Sequence, residues 1–173
     1  MAVSGELLSE YKKLMEKVKN IVIFQSAMSV LHWDMETKMP PKGIMLRSQQ
    51  MALLSQIGHR MMIDPEIGRL IEKIMSHPNY ESLSELQKRN VYLTKKAYDE
   101  QTKLPEELVV ETARQQTITT DVWKKAKAAK NFSMFKPELE KLFELKKKAA
   151  EILMEVKQTP TPVSYTHLTL PTN

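Results

Sequence analysis

The 173-residue chain contains no cysteine, which removes disulfides and thiolate metal ligands from consideration. Only 4 glycines and 6% aromatic residues argue against a sandwich or barrel of many short strands and tight turns. No long apolar run occurs. "IVIF" at 21–24 is the longest such patch, far short of the roughly 20 residues a membrane-spanning helix needs. The opening "MAVSGELLSEYKKLMEK" puts acids and lysines where a signal peptide would carry its apolar core. A soluble, cytoplasmic protein is expected.

What is present favours helix: Leu, Lys, Glu, Ala and Met dominate. Leu7, Tyr11, Leu14, Val18, Ile21, Met28 and Leu31 recur at spacings of three, four or seven. That stripe predicts one long helix, opened by Ser4 as cap and closed after Met35 by Pro40-Pro41. A second helix is expected from Ile44 to Met62, and a third from Asp64-Pro65-Glu66 to the break at "SHPNY", where His77-Pro78 punctuates a loop. Ser82 and Glu85 have capping-box spacing and should open a fourth helix running to about Gln101. Leu104-Pro105-Glu106-Glu107 opens a fifth, reaching Lys130, and Asn131-Phe132-Ser133 turns into a sixth that ends at Val156 or Lys157. The fold class is therefore all-α, about six helices in an antiparallel array. Residues 1–157 form one helical region, while 158–173, rich in Thr and Pro without helical period, read as a disordered tail.

The chemistry-bearing cluster is "LHWDMETKMPPKG", residues 31–43. His32 and Glu36 stand four apart and share a helix face. Asp34 lies about 200 degrees round from His32, so the three do not converge on an unbroken helix. Catalytic zinc takes three protein ligands and a water. The residues thus favour a structural role, with Trp33 anchored in the core and the polar side chains finishing the helix. No His-Glu-x-x-His, phosphate-cradling glycine loop or Gly-x-Ser-x-Gly elbow is present.

The net charge of +5 raises nucleic acid as a partner. However, Lys124, Lys125, Lys127 and Lys130 spread over several helix faces, Lys146 to Lys148 are offset by Glu140, Glu144 and Glu151, and no aromatic residues interleave them. A solvated surface is expected, with the 12 methionines as core filler or as a groove for a partner helix.

The stretch "FQSAMSVLHWDMETKMPPKGIMLRSQQMALLSQIGHR", residues 24–60, resembles the N-terminal region of the carboxypeptidase Taq family of zinc metallocarboxypeptidases. His-Trp-Asp, Met-Pro-Pro-Lys-Gly, Arg-Ser-Gln-Gln and Leu-Ser carry the likeness. Residues 108–153, "LVVETARQQTITTDVWKKAKAAKNFSMFKPELEKLFELKKKAAEIL", add Trp-x-x-Ala and Asn-Phe-x-x-Phe-x-Pro-x-Leu in the family's order. The resemblance implies a larger all-helical peptidase that trims single residues from peptide C-termini, a long substrate groove, a homodimer, and neither nucleic acid nor membrane as partner. It also implies zinc or cobalt, held by the two histidines of His-Glu-x-x-His and a downstream glutamate, none of which this chain supplies. No catalytic or metal residue is therefore carried over. His32, Trp33, Asp34, Pro40, Pro41 and Arg47 are expected as signature positions lining the groove. "TPVSYTHLTLPTN" resembles translated sequencing-adapter read-through, so the expectation is an inactive N-terminal fragment with a non-native tail. The competing expectation is a stand-alone helical interaction module.

Overall fold

The computed structural model describes residues 5–161. Among these, six α-helices follow one another: α1 (Gly5–Thr37), α2 (Ile44–Met62), α3 (Pro65–Met75), α4 (Glu85–Gln101), α5 (Glu106–Ala128) and α6 (Phe132–Lys157). Short 3-10 turns at Pro41–Gly43 and Tyr80–Ser82 join α1 to α2 and α3 to α4. The all-α antiparallel array expected from periodicity is the observed architecture. The proposed Ser4 cap lies outside the described residues, as do residues 162–173 of the expected tail.

Large apolar side chains concentrate in one place. Leu7 and Leu14 of α1 meet Ile67, Leu70, Ile71 and Ile74 of α3, with Leu83 and Val91 closing the cluster. Each such side chain, fully buried, contributes about 1.5–3 kcal/mol. Polar ties surround this core. The Lys17 ammonium reaches the Asp64 carboxylate at 2.8 Å and Glu66 at 2.6 Å, at the N-terminus of α3. Asp64 and then Glu66 raise the Lys17 pKa, while Lys17, followed by the Glu66 backbone N–H, holds that of Asp64 below its ordinary value. The Asn90 amide of α4 donates to the Tyr11 hydroxyl at 2.9 Å. At Gly68 an added Cβ would lie 2.8 Å from the Tyr98 hydroxyl, so a side chain there would displace the Tyr98 ring that α4 lays over α3.

The other half is built differently. α5 packs against α2 on one side and α6 on the other, and its buried residues are small or polar: Gln115, Thr117, Thr119 and Ala126. The Gln115 amide donates to the Glu138 carboxylate at 2.7 Å, and the Thr119 hydroxyl donates to the Glu138 backbone carbonyl at 3.2 Å. Gln115, then Lys141, keeps the Glu138 carboxyl below its ordinary pKa. Where α2 meets the start of α5, Gln56 and Arg60 both donate to Glu106, at 2.7 and 2.6 Å. No described residue of α6 is fully buried.

Four sequence expectations need correction. The capping box on α4 is Ser84 with Gln87, not Ser82 with Glu85. The Ser82 hydroxyl is instead committed to the Asn79 carbonyl at 2.6 Å, closing the 3-10 turn one step earlier. Trp33 is not a core anchor, being 57% exposed. The methionines fill the core only in part: Met35 is buried and Met15 packs against the core, whereas Met45, Met75 and Met134 are exposed. Finally, α5 ends at Ala128 rather than Lys130. Lys130 takes a left-handed φ of 50°, and the Asn131 N–H bonds the Ala126 carbonyl at 2.9 Å, turning the chain into α6.

Candidate functional site

The C-terminal end of α1, the Pro40-Pro41 turn, the start of α2 and the middle of α5 form the candidate site. Two ion pairs build it. Arg47, on the first turn of α2, donates to the Asp34 carboxylate at 2.5 Å and also to the Leu31 carbonyl. Its side chain is 11% exposed, so the guanidinium is a largely buried clasp holding α1 against α2 across the turn. The second pair joins α1 to α5, with Lys124 lying 2.7 Å from Glu36.

The turn is shaped by its prolines. Pro40 takes φ −59° and ψ 144°, an extended conformation that ends α1, and Pro41 sits in the first turn of the following 3-10 helix, where its missing N–H leaves nothing unsatisfied. Both are exposed.

Of the six signature positions, the structure brings Asp34 and Arg47 into contact. His32 goes elsewhere. It lines a small cavity of about 140 Å³ with Met35, Met51, Ser55, Gln116, Thr117 and Thr120. The Thr117 and Thr120 hydroxyls are engaged with the Ala113 and Gln116 carbonyls of their own helix. Trp33 projects outward from α1. Gln116 and Thr120 come from α5, about eighty positions further along the chain, and Ser55 from the middle of α2. Local spacing around the His-Trp-Asp motif carries no signal for any of them.

This donor set does not fit a divalent metal. Asp34 and Glu36 already face cations, and among the described residues no group of three or more His, Asp or Glu comes together. His59, buried at 3% exposure with an unpartnered Nδ1, is a single imidazole without a second ligand.

A second feature departs from the sequence expectation. Aromatic residues do adjoin the lysines of α5: the Lys127 ammonium lies 5.0 Å above the Trp123 ring. Phe132 and Phe135 meet edge to face at 6.1 Å and share a cleft with Lys130. The two phenylalanines enter from α6, beyond the reach of a reading confined to "WKKAKAAK". Among the described residues no helix is long and apolar enough to cross a membrane.

Comparison with known proteins places these observations. A family model described as carboxypeptidase Taq (M32) metallopeptidase matches residues 13–166. A thermostable carboxypeptidase 1 from Pyrococcus furiosus is 34% identical over 142 residues, which are 82% of this chain and 28% of that relative. Another, from Thermus thermophilus, is 30% identical over 158 residues, 91% of this chain and 31% of the relative. A solved structure described as "BsuCP Crystal Structure" superposes with a TM-score of 0.78 at 28% identity, covering 83% of this chain and 29% of that one. The chain thus spans 28 to 31% of the length of the two relatives.

Proposed function

Since the chain belongs to the carboxypeptidase Taq (M32) metallopeptidase family, we propose that it is the N-terminal portion of a zinc metallocarboxypeptidase, forming one wall of the groove that receives a peptide C-terminus. Residues 1–157 are the body of that wall, and the family match runs on to residue 166, into the stretch read from composition as a tail. The metal, zinc or cobalt, is held by residues of the parent that this chain lacks. The same reading carries a homodimeric parent in the cytoplasm, with peptide as its substrate and neither nucleic acid nor membrane as partner.

One observation carries the proposal: 83% of this chain shares its fold with 29% of a larger solved chain of the family. Within the wall, the six signature positions divide by task. Arg47 and Asp34 are occupied with each other, and Pro40 and Pro41 set the turn. That leaves His32 to face substrate, while Trp33 lies on the outward side of α1. His32 offers a hydrogen-bonding imidazole beside Ser55 and Gln116.

The test uses an N-blocked dipeptide and two proteins. The purified 173-residue chain, supplied with zinc or cobalt, should release no C-terminal amino acid. A chimera should cleave, built from this chain through residue 161 and continued into the part of the Pyrococcus furiosus carboxypeptidase outside the matched region. In that chimera His32→Ala should raise KM by about tenfold, the loss of one hydrogen bond. Turnover by the chain alone would overturn the proposal, as would a folded chimera that leaves the dipeptide intact.

A further inference from the structure

The two halves of α1 treat water in opposite ways. From Gly5 to Lys19 the helix carries seven charged residues: Glu6, Glu10, Lys12, Lys13, Glu16, Lys17 and Lys19. From Asn20 to Trp33 it carries none, in a chain that is 27% charged. One side of this second half is covered, with Ile21, Phe24, Met28 and Leu31 half-buried. The other side is not. Val22 is 56% exposed, Ile23 55% and Val30 63%, and with Trp33 they fall within about 100 degrees of helix circumference. Of the buried residues of α1, Met35 lies on the opposite side, while Leu7 and Leu14 fall about 60 and 80 degrees round from Val22.

A solvated helix face is written in Lys and Glu, as the first half of α1 is. Loss of charge together with exposed β-branched and aromatic side chains is the composition of an interface centre. The face offers no Lys or Arg to a phosphate backbone. Its occupant must therefore be apolar.

We propose that the face of α1 carrying Val22, Ile23, Val30 and Trp33 docks the remaining helices of the family fold, the roughly 70% of the relatives' length that this chain does not span. The inference rests on the reading of the chain as the N-terminal portion of a larger peptidase. The continuous loss of charge over fourteen residues suits a permanent intramolecular contact, like the core of a single domain, better than a partner that comes and goes.

The absence of cysteine makes the face easy to probe. Val30→Cys and, on the charged half of the same helix, Lys12→Cys are introduced singly into the 173-residue chain and into the Pyrococcus chimera. Their labelling by N-ethylmaleimide is followed by mass spectrometry. Both thiols should react at similar rates in the chain alone. In the chimera, Val30→Cys should slow by about a hundredfold or more while Lys12→Cys is unchanged. Equal reactivity of Val30→Cys in the two proteins overturns the proposal, and so does a chimera that circular dichroism finds unfolded, since the face then meets no counterpart. Protection of Val30→Cys in the chain alone that grows with concentration assigns the face to a second copy and also overturns it. As a second measurement, Val30→Lys should leave the Tm of the isolated chain within about 1 °C, as at an exposed site, and lower that of the chimera. A folded chimera that protects Val30→Cys yet fails to cleave peptide sinks the functional reading and leaves this one standing.

Discussion

Arg47 does more than its place in an Arg-Ser-Gln-Gln motif suggests. Its guanidinium donates both to the Leu31 carbonyl within α1 and to the Asp34 carboxylate from one largely buried position. Arg47→Ala should cost about 1.5–3 kcal/mol, the range for hydrogen bonds to charged groups, seen as a lower urea midpoint with unchanged slope. Arg47→Lys should recover only part of this, because an ammonium lacks the two-pronged geometry. Glu106 gives a pH signature. Arg60 first, and then Gln56, pulls its carboxyl from 4.5 down to about 2. A depressed folded-state pKa adds stability that is complete above the unfolded value and disappears as pH falls toward the folded one. Glu106→Gln should therefore lower the Tm at pH 7 and match the native chain near pH 2, the difference closing between about 4.5 and 2 in pH-dependent calorimetry. Neither role was visible in the sequence, where Arg47 and Asp34 stand thirteen residues apart and Arg60 and Glu106 forty-six. Trp33 shows the reverse failure: a large aromatic on an amphipathic helix reads as core until the structure shows nothing over it.

At the scale of elements the sequence was a good guide, because helix boundaries are written locally. Pro65 after the Asp64 cap, the Pro40-Pro41 stop and the Asn131 cap each act within a turn of where they stand. The capping box failed for the same local reason. "SLSELQ" fits the pattern in two frames, and the choice falls to the 3-10 turn that takes the Ser82 hydroxyl first. The end of α5 is where the chain departs from preference. With only 4 glycines available, the left-handed residue after this helix is Lys130, at φ 50°. A side chain there costs about 1 kcal/mol relative to glycine. Lys130→Gly should accordingly stabilise the fold by up to about 1 kcal/mol, detectable as a rise in thermal midpoint, against the usual trend for glycine substitutions.

Across the whole molecule, burial is uneven. The α1–α3–α4 side has a dense apolar centre, whereas α6 lies on α5 without one fully buried side chain. Hydrogen exchange should reflect this: amides of α3 and of the Leu7–Leu14 half of α1 should outlast those of α6 under mild denaturant, and uniform protection would contradict the picture. Sequence reading could not foresee the imbalance, since an apolar stripe announces that a face wants cover without saying whether this chain supplies it. What α6 lacks in apolar grip it recovers in discrimination. Gln115 and Thr119 meet Glu138 with matched donors and acceptors. Sliding α6 by one turn, about 5.4 Å, would strand a buried amide and a carboxylate at about 1–3 kcal/mol apiece. Leucines facing leucines would tolerate that slip. Here the two helices mesh in a single phase, so whatever later leans on α6 finds it always at the same height.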